Sequence, residues 1–367
     1  MKRTTSRRAA APLAAAVALG LALSACSASN EDDPDSDSGS SDLSGTLVGA
    51  GASSQEAAMT GWVNGFQAAN PDVTINYDPV GSGGGREQFI AGGVDFAGSD
   101  AYLEGEELKG AEDQCGGEVV EVPAYVSPIA VVYNLPDVSE LNLSPEVIGG
   151  IFAGDITSWD DDAIAADNPD ADLPDTDINP VHRSDESGTT ENFTSYMDAT
   201  SGGAWSDGVV ETWPNGLGGE GADGTSGVIQ AVGAGEGSVG YADASQAGDL
   251  GTASVGVGDD FVSYSPEAAA AVLEASTAVE GRSDTDLAYD VARDTTESGV
   301  YPIVLVSYHI ACTQYDDPAQ AAMVKAFLQY VLSEEGQQAA AEAAGSAPIT
   351  DAIRDPALQA VDAIQTS

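Results

Sequence analysis

Apolar and polar positions follow two alternating periods along the chain. Residues 46–48 (Thr-Leu-Val) read as a short strand. After the turn Gly49-Ala50-Gly51-Ala52-Ser53-Ser54, Met59, Trp62, Val63 and Phe66 recur on one helical face until Asn70-Pro71 stops them. Val73-Thr74-Ile75-Asn76-Tyr77 alternates as a half-buried strand does. Gly81-Ser82-Gly83-Gly84-Gly85-Arg86 predicts a turn that opens a helix over residues 87–91, and residues 95–100 predict a strand ending on the carboxylate of Asp100. Strand, Gly/Ser turn and helix thus occur twice in about fifty residues, the grammar of an α/β fold with a mostly parallel sheet. Ligands of such sheets sit beyond the carboxyl ends of the strands.

Further along, residues 119–122 and 129–133 predict two strands separated by Pro123-Ala124-Tyr125. Ser144-Pro145-Glu146 starts a helix, residues 160–166 form a second, and residues 168–177 are a Pro- and Asp-rich surface loop. An extended run, residues 177–181, leads to His182-Arg183-Ser184-Asp185-Glu186-Ser187-Gly188-Thr189-Thr190, from which a helix runs to about residue 198. A Gly-rich segment over 215–227, a helix from 228 and a strand over 238–241 follow. Ser265-Pro266-Glu267 caps an Ala-rich helix to residue 275, and residues 301–310 are apolar and β-rich. The helix over 319–332 sets Met323, Phe327, Tyr330 and Val331 on a core face. A Gln/Ala/Glu helix, a turn at Ala347-Pro348-Ile349 and a short last helix complete the pattern.

The N-terminal pattern is different. Lys2, Arg3, Arg7 and Arg8 precede an apolar stretch over 9–23, as in a secretory signal, and that stretch is too short for a comfortable membrane span. Leu23-Ser24-Ala25-Cys26 resembles a bacterial lipobox, so residues 1–25 are expected to be removed and Cys26 lipidated. Residues 26–44 are Ser-, Asp- and Gly-rich and predict a disordered tether. The whole chain of 367 residues carries a net −49; without residues 1–25 it has seven basic and sixty acidic residues, a net −53. Such a surface excludes nucleic acid as a partner, because phosphate backbones need clustered Lys and Arg. It also repels small anions at long range, so an anion site here must work through short-range donors. Cys115 and Cys312 remain after Cys26; in an oxidising exterior they form a disulfide or stay as two buried thiols.

Enzyme signatures are scarce: there is no phosphate-loop lysine motif, no HExxH and no GxSxG elbow. With only His182 and His309, a two-histidine metal site is hard to build, and His182 reads as a strand residue. Asp33, Asp35 and Asp37, and again Asp175, Asp177, Asn179 and Glu186, have calcium-loop spacing, but Ser38 and Pro180 replace the required glycine. The strongest candidate is the stretch around Arg183. Ser187 is placed to cap the following helix, which leaves the amides of Gly188, Thr189 and Thr190 pointing outward as an anion cradle, with Arg183 as a planar cation braced by Asp185. The alternative is an ordinary capped helix with a surface arginine. Gly81 to Arg86 reads as a second anion-contacting turn. Asp100 beside such a cradle helps only a ligand that brings its own proton, which inorganic phosphate does and sulfate does not. The simpler alternative is a structural Asp at a strand end.

Taken together, Gly49-Ala-Gly-Ala-Ser53-Ser54, Gly81-Ser82-Gly-Gly-Gly, Asp95-Phe-Ala-Gly-Ser-Asp100 and Arg183-Ser-Asp-Glu-Ser187-Gly188-Thr189 resemble, in order and spacing, the ligand loops of the phosphate-binding proteins (PstS family) of ABC-type phosphate importers. Residues 151–161, Val239-Gly240-Tyr241 and Tyr301-Pro302-Ile303 support the resemblance, which covers nearly everything from Gly45 onward. It implies a type II periplasmic-binding-protein fold, two α/β lobes joined by two hinge crossings with the ligand cleft between them. Lobe I would comprise residues 45–122 and 300–367, and lobe II residues 123–299. The resemblance places Ser53, Ser54, Ser82, Asp100, Arg183, Ser187, Gly188 and Thr189 on phosphate-contacting positions and Asp185 on the partner of the arginine. It implies no cofactor, no metal, no catalysis, a monomer, and permease membrane subunits as the macromolecular partner. The site of action would be the outer face of the cytoplasmic membrane, through the lipid on Cys26. Ser54 departs from the family pattern, which usually has an aromatic there, and Glu186 adds charge where a small residue is usual. Rival readings are a receptor for another protonated oxyanion (arsenate, phosphite or a phosphonate), a secreted phosphatase using Ser187 or Thr189, and a surface adhesin.

Overall fold

A computed structural model of the chain describes residues 43–366. The predicted signal segment 1–25, Cys26, the Asp33–Asp35–Asp37 motif and nearly all of the predicted tether lie outside the described residues. The fold is organised by one curled sheet. Across it the strands run Val73–Asp78, Gly45–Gly51, Phe96–Ser99, Val304–Cys312, Val119–Tyr133, Ser238–Asp243, Asn179–Arg183 and Glu220–Ala222, with Gly251–Thr252 also pairing on the long central strand. The first three pair in parallel, as do the last three, and the long strands between them are antiparallel to their neighbours. Gly45–Gly51 and Val73–Asp78 are each followed by a helix, Glu56–Ala69 and Ser82–Ile90, as the alternating periods require.

The helix predicted over 87–91 starts earlier, at Ser82, so the Gly-rich stretch is its first turn and not a preceding loop. The two strands predicted either side of Pro123 are one continuous strand, Val119–Tyr133. Pro123 is tolerated because it stands opposite Tyr308, where the ladder slips by one residue and leaves Ala124 extra. Over residues 119–128 this strand pairs with Val304–Cys312, and over 129–133 with Ser238–Asp243. The two halves of the sheet therefore share one strand.

Helix Glu56–Ala69 buries Ala58, Met59, Trp62 and Phe66 against the first half, and the Trp62 indole N–H donates to the Gly336 carbonyl at 2.9 Å. Helix Pro318–Leu332 adds Met323, Val324, Phe327, Leu328 and Val331. In the second half Phe152, Phe193, Trp205, Trp213 and Tyr241 pack ring on ring. Full burial of side chains of this size contributes about 1.5–3 kcal/mol each. Cys115, closing helix Gly105–Cys115, forms a disulfide with Cys312 at the end of its strand.

Candidate anion-binding site

The carboxyl ends of the parallel strands lead to the candidate residues. Gly45–Gly51 runs on to Ser53 and Ser54, Val73–Asp78 to Ser82, Phe96–Ser99 to Asp100, and Asn179–Arg183 to Asp185 and Ser187. Helices starting at Ser82, Gly188 and Gly224, and a single 3-10 turn at Ser53–Gln55, begin there. Their positive dipole ends favour an anion without any net positive charge, even though some first-turn amides are engaged within the protein, Gly83 N–H with the Glu186 carbonyl at 3.2 Å among them. Ser187 caps its helix as the spacing predicts: its Oγ accepts from the Thr190 N–H at 3.1 Å.

The two halves meet closely at glycines. A Cβ on Gly188 would lie 2.7 Å from Ser82 Oγ and 2.8 Å from Asp100 Cβ. Gly81 has φ +92°, and a Cβ there would lie 2.4 Å from Asp185 Oδ2. Arg183 is 2 % exposed; its Nε donates to Asp185 Oδ1 at 2.7 Å, Nη2 donates to Asp185 Oδ2, and Nη1 points to Thr189 Oγ1 at 3.5 Å. Asp185 Oδ1 also accepts the Gly224 N–H at 3.1 Å. Burial alone would raise the Asp185 carboxyl, but the Arg183 guanidinium outweighs it and holds the group below the ordinary carboxylate range.

The hydroxyls divide into two sets. Ser53, Ser82 and Ser187 each accept a backbone N–H, from Thr225 at 3.1 Å, Asp100 at 3.0 Å and Thr190 at 3.1 Å, which leaves the Ser82 and Ser187 protons to give, while Ser53 Oγ also shares a hydrogen bond with Thr225 Oγ1 at 3.0 Å. Ser54, Thr189 and Ser307 instead donate to Asp100: Ser54 Oγ to Oδ1 at 2.7 Å, Ser307 Oγ to Oδ1 at 2.5 Å, and Thr189 Oγ1 to Oδ2 at 2.9 Å. Asp100 is buried, and burial pushes its carboxyl up against these three donors and Arg183. One acceptor thus sits among serine and threonine hydroxyls and a guanidinium. That arrangement can hold a tetrahedral oxyanion carrying a proton.

All eight predicted contact residues and Asp185 lie in this cluster. His182, by contrast, is stacked on Trp213 at 4.7 Å between ring centres, with Nδ1 facing the Arg183 carbonyl. Burial holds its ring below the ordinary histidine range, so it offers no charge to the site.

The family model for the PBP superfamily domain matches residues 36–335. Phosphate-binding protein PstS 3 of Mycobacterium tuberculosis (strain H37Rv) is 37% identical over 323 residues, which is 87% of this chain and 86% of that protein. PstS 2 of the same organism is 35% identical over 326 residues, 87% of each. The chain belongs to the PstS family of phosphate-binding proteins. Among solved structures, the high-affinity periplasmic phosphate-binding protein PfluDING, solved with phosphate, has a TM-score of 0.69 at 24% identity, covering 85% of this chain and 92% of that one. A phosphate-bound putative phosphate ABC transporter substrate-binding protein of Clostridium perfringens has a TM-score of 0.57 at 19% identity, covering 82% and 98%. At such identities these two establish the shared type II fold.

Against the PstS pattern, the unusual Ser54 is a donor to Asp100, a contact that a phenyl ring cannot make. Glu186 stands beside Gly83, and burial, then neighbouring Glu211, push its carboxyl upward, with Arg86 opposing. Several residues that hold the site were not legible. Thr225 meets Ser53, Asn192 Nδ2 donates to the Asp100 carbonyl at 2.8 Å, and Arg86 links Glu107 at 2.8 Å, Ser99 at 3.0 Å and Glu211 at 2.6 Å. Ser307 did leave a signal: it and His309 are polar at i and i+2 of an otherwise apolar strand, so they face the same side.

Proposed function

We propose that this chain captures inorganic phosphate outside the cytoplasmic membrane and delivers it to the membrane subunits of an ABC-type phosphate permease, without chemistry of its own. The observation that carries the reading is the pairing of the hydroxyls: Ser53, Ser82 and Ser187 each accept a backbone N–H, and a single buried carboxylate, Asp100, stands among them as the acceptor. Family membership and the phosphate-binding names of the relatives support it. In this reading Ser53, Ser54, Ser82, Asp100, Arg183, Ser187, Gly188 and Thr189 contact the anion and Asp185 braces the arginine. Residues 45–122 and 300–367 form one lobe and 123–299 the other, and they close on the ligand. The receptor acts as a monomer tethered by a lipid on Cys26; no helix among the described residues is long and apolar enough to cross a membrane.

Charge-assisted hydrogen bonds contribute roughly 1.5–3 kcal/mol each, so six of them, less the cost of closure, support a micromolar or tighter site. Calorimetric titration of unlipidated protein with phosphate and with sulfate is the test. One-to-one phosphate binding with weak or no sulfate binding is expected, and Asp100→Asn is expected to narrow the preference by about tenfold or more. An unchanged ratio would remove Asp100 from selectivity, equal affinities in the unmodified protein would sink the phosphate reading, and turnover of an aryl phosphate would replace it by a phosphatase.

A further inference from the structure

The polar chain beneath Asp100 has a direction, and it is fixed by an atom with no choice. The Tyr308 backbone carbonyl can only accept, so the end of the fully buried Gln55 amide that meets it at 3.3 Å is Nε2. The same Nε2 donates to Ser307 Oγ at 2.6 Å, so the Ser307 proton goes on to Asp100 Oδ1 at 2.5 Å. Gln55 Oε1 in turn faces His309 Nε2 at 3.0 Å, which fixes the Nε2–H tautomer. Trp62, Phe96 and Phe327 surround that ring, and its Nδ1 has no hydrogen-bond partner among the described residues. Burial pushes the ring down to about 3, so His309 stays neutral where phosphate titrates and does not reverse the chain.

Asp100 Oδ1 therefore receives two hydroxyl protons, from Ser54 and Ser307, while Oδ2 receives one, from Thr189. A carboxyl oxygen given two donors is held as an acceptor, and Oδ2 is left as the oxygen for a ligand's proton. The ionisable groups facing Asp100 are Arg183, Asp243 and the Tyr77 phenol, and only the first favours the carboxylate. Burial pushes the Asp100 carboxyl upward, and the Ser307, Ser54 and Thr189 hydroxyls, ahead of Arg183, are what oppose it.

We propose that the His309–Gln55–Ser307 relay is a specificity determinant: it keeps Asp100 in the acceptor form that admits a protonated oxyanion and turns away a fully deprotonated one. This rests on the phosphate-receptor reading above. The three relay residues are positioning residues that act through Asp100.

The test uses Ser307→Ala, which removes the donor, and Gln55→Glu, which puts an acceptor where Nε2 stands and so draws the Ser307 proton away. Ser307→Thr keeps the hydroxyl, and Ser54→Ala removes the other Oδ1 donor. Each variant is titrated with phosphate and with sulfate by calorimetry, and circular dichroism establishes the folded fraction. The phosphate-to-sulfate affinity ratio is expected to fall roughly tenfold or more in Ser307→Ala and Gln55→Glu, by a smaller factor in Ser54→Ala, and to recover in Ser307→Thr. A ratio unchanged in the folded variants overturns the relay, as does an equal loss for both anions. If the unmodified protein binds no phosphate, it is the receptor reading that fails, and the two failures are told apart by that control.

Discussion

Asp243 shows what an unpaired oxygen costs at the scale of one residue. It is fully buried; its Oδ1 accepts from Ser245 N at 2.9 Å, Ser245 Oγ at 2.5 Å and the Tyr125 hydroxyl at 3.2 Å, while Oδ2 has no partner among the described residues. Burial pushes its carboxyl up to about 6, against the donors of Ser245 and Ser127, and nearby Asp100 adds to the rise. A folded-state value above the unfolded one means that the folded protein holds this proton more tightly. The stabilisation is therefore complete below about pH 4 and is lost as pH rises through about 6. Two units correspond to about 3 kcal/mol. Asp243→Asn cannot titrate and supplies an N–H₂ group near the position of Oδ2. Its melting temperature relative to the unmodified protein is expected to climb between about pH 4 and 6 and to level off above. Parallel melting curves across that range would contradict the assignment.

Elements meet across the two halves through Arg86 and Glu211. Arg86 rides on helix Ser82–Ile90, and Glu211 belongs to the segment whose backbone carbonyl at that residue accepts the Ser187 N–H at 3.1 Å. Their 2.6 Å ion pair is largely buried, so it links the start of one site helix to the cap of another. Burial, and then Glu211, push Glu191 up to about 8 against Arg86 and Arg293, so this neighbour holds a proton near neutrality and leaves Glu211 as the carboxylate paired with Arg86. Glu211→Gln is expected to speed phosphate dissociation about tenfold with little change in association, measured by stopped flow; an unaltered dissociation rate would separate this pair from closure. Local elements and local contacts were legible in the sequence: the Ser187 cap, the Arg183–Asp185 pair two residues apart and the Gly/Ser turns each follow from short-range rules. The contacts of Thr225 with Ser53, Ser307 with Asp100 and Gln55 with Ser307 join residues 172, 207 and 252 positions apart, and no local pattern encodes them. Proline misled for a definite reason. The loss of one amide donor at Pro123 reads as a strand break, whereas a slip in register absorbs it.

The whole molecule is strongly acidic, −49 for the full chain, yet its site is built for an anion. Capture must work against a repulsive field over the distance that salt leaves unscreened, about 30 Å at 0.01 M and 3 Å at 1 M. The phosphate association rate is therefore expected to rise severalfold as salt increases over that range, opposite to the behaviour of a basic receptor. Stopped-flow measurements showing a falling rate would place local positive potential at the cleft mouth. The antiparallel pair Val119–Tyr133 and Val304–Cys312 carries a further consequence. Its irregular step falls between Ser307 and Tyr308, at the very residue that donates to Asp100. If the halves swing apart by flexing this ribbon, the step is where it yields, and the carboxylate's orientation slackens with it. Unloading the cargo and forgetting which cargo to prefer would then be a single mechanical event.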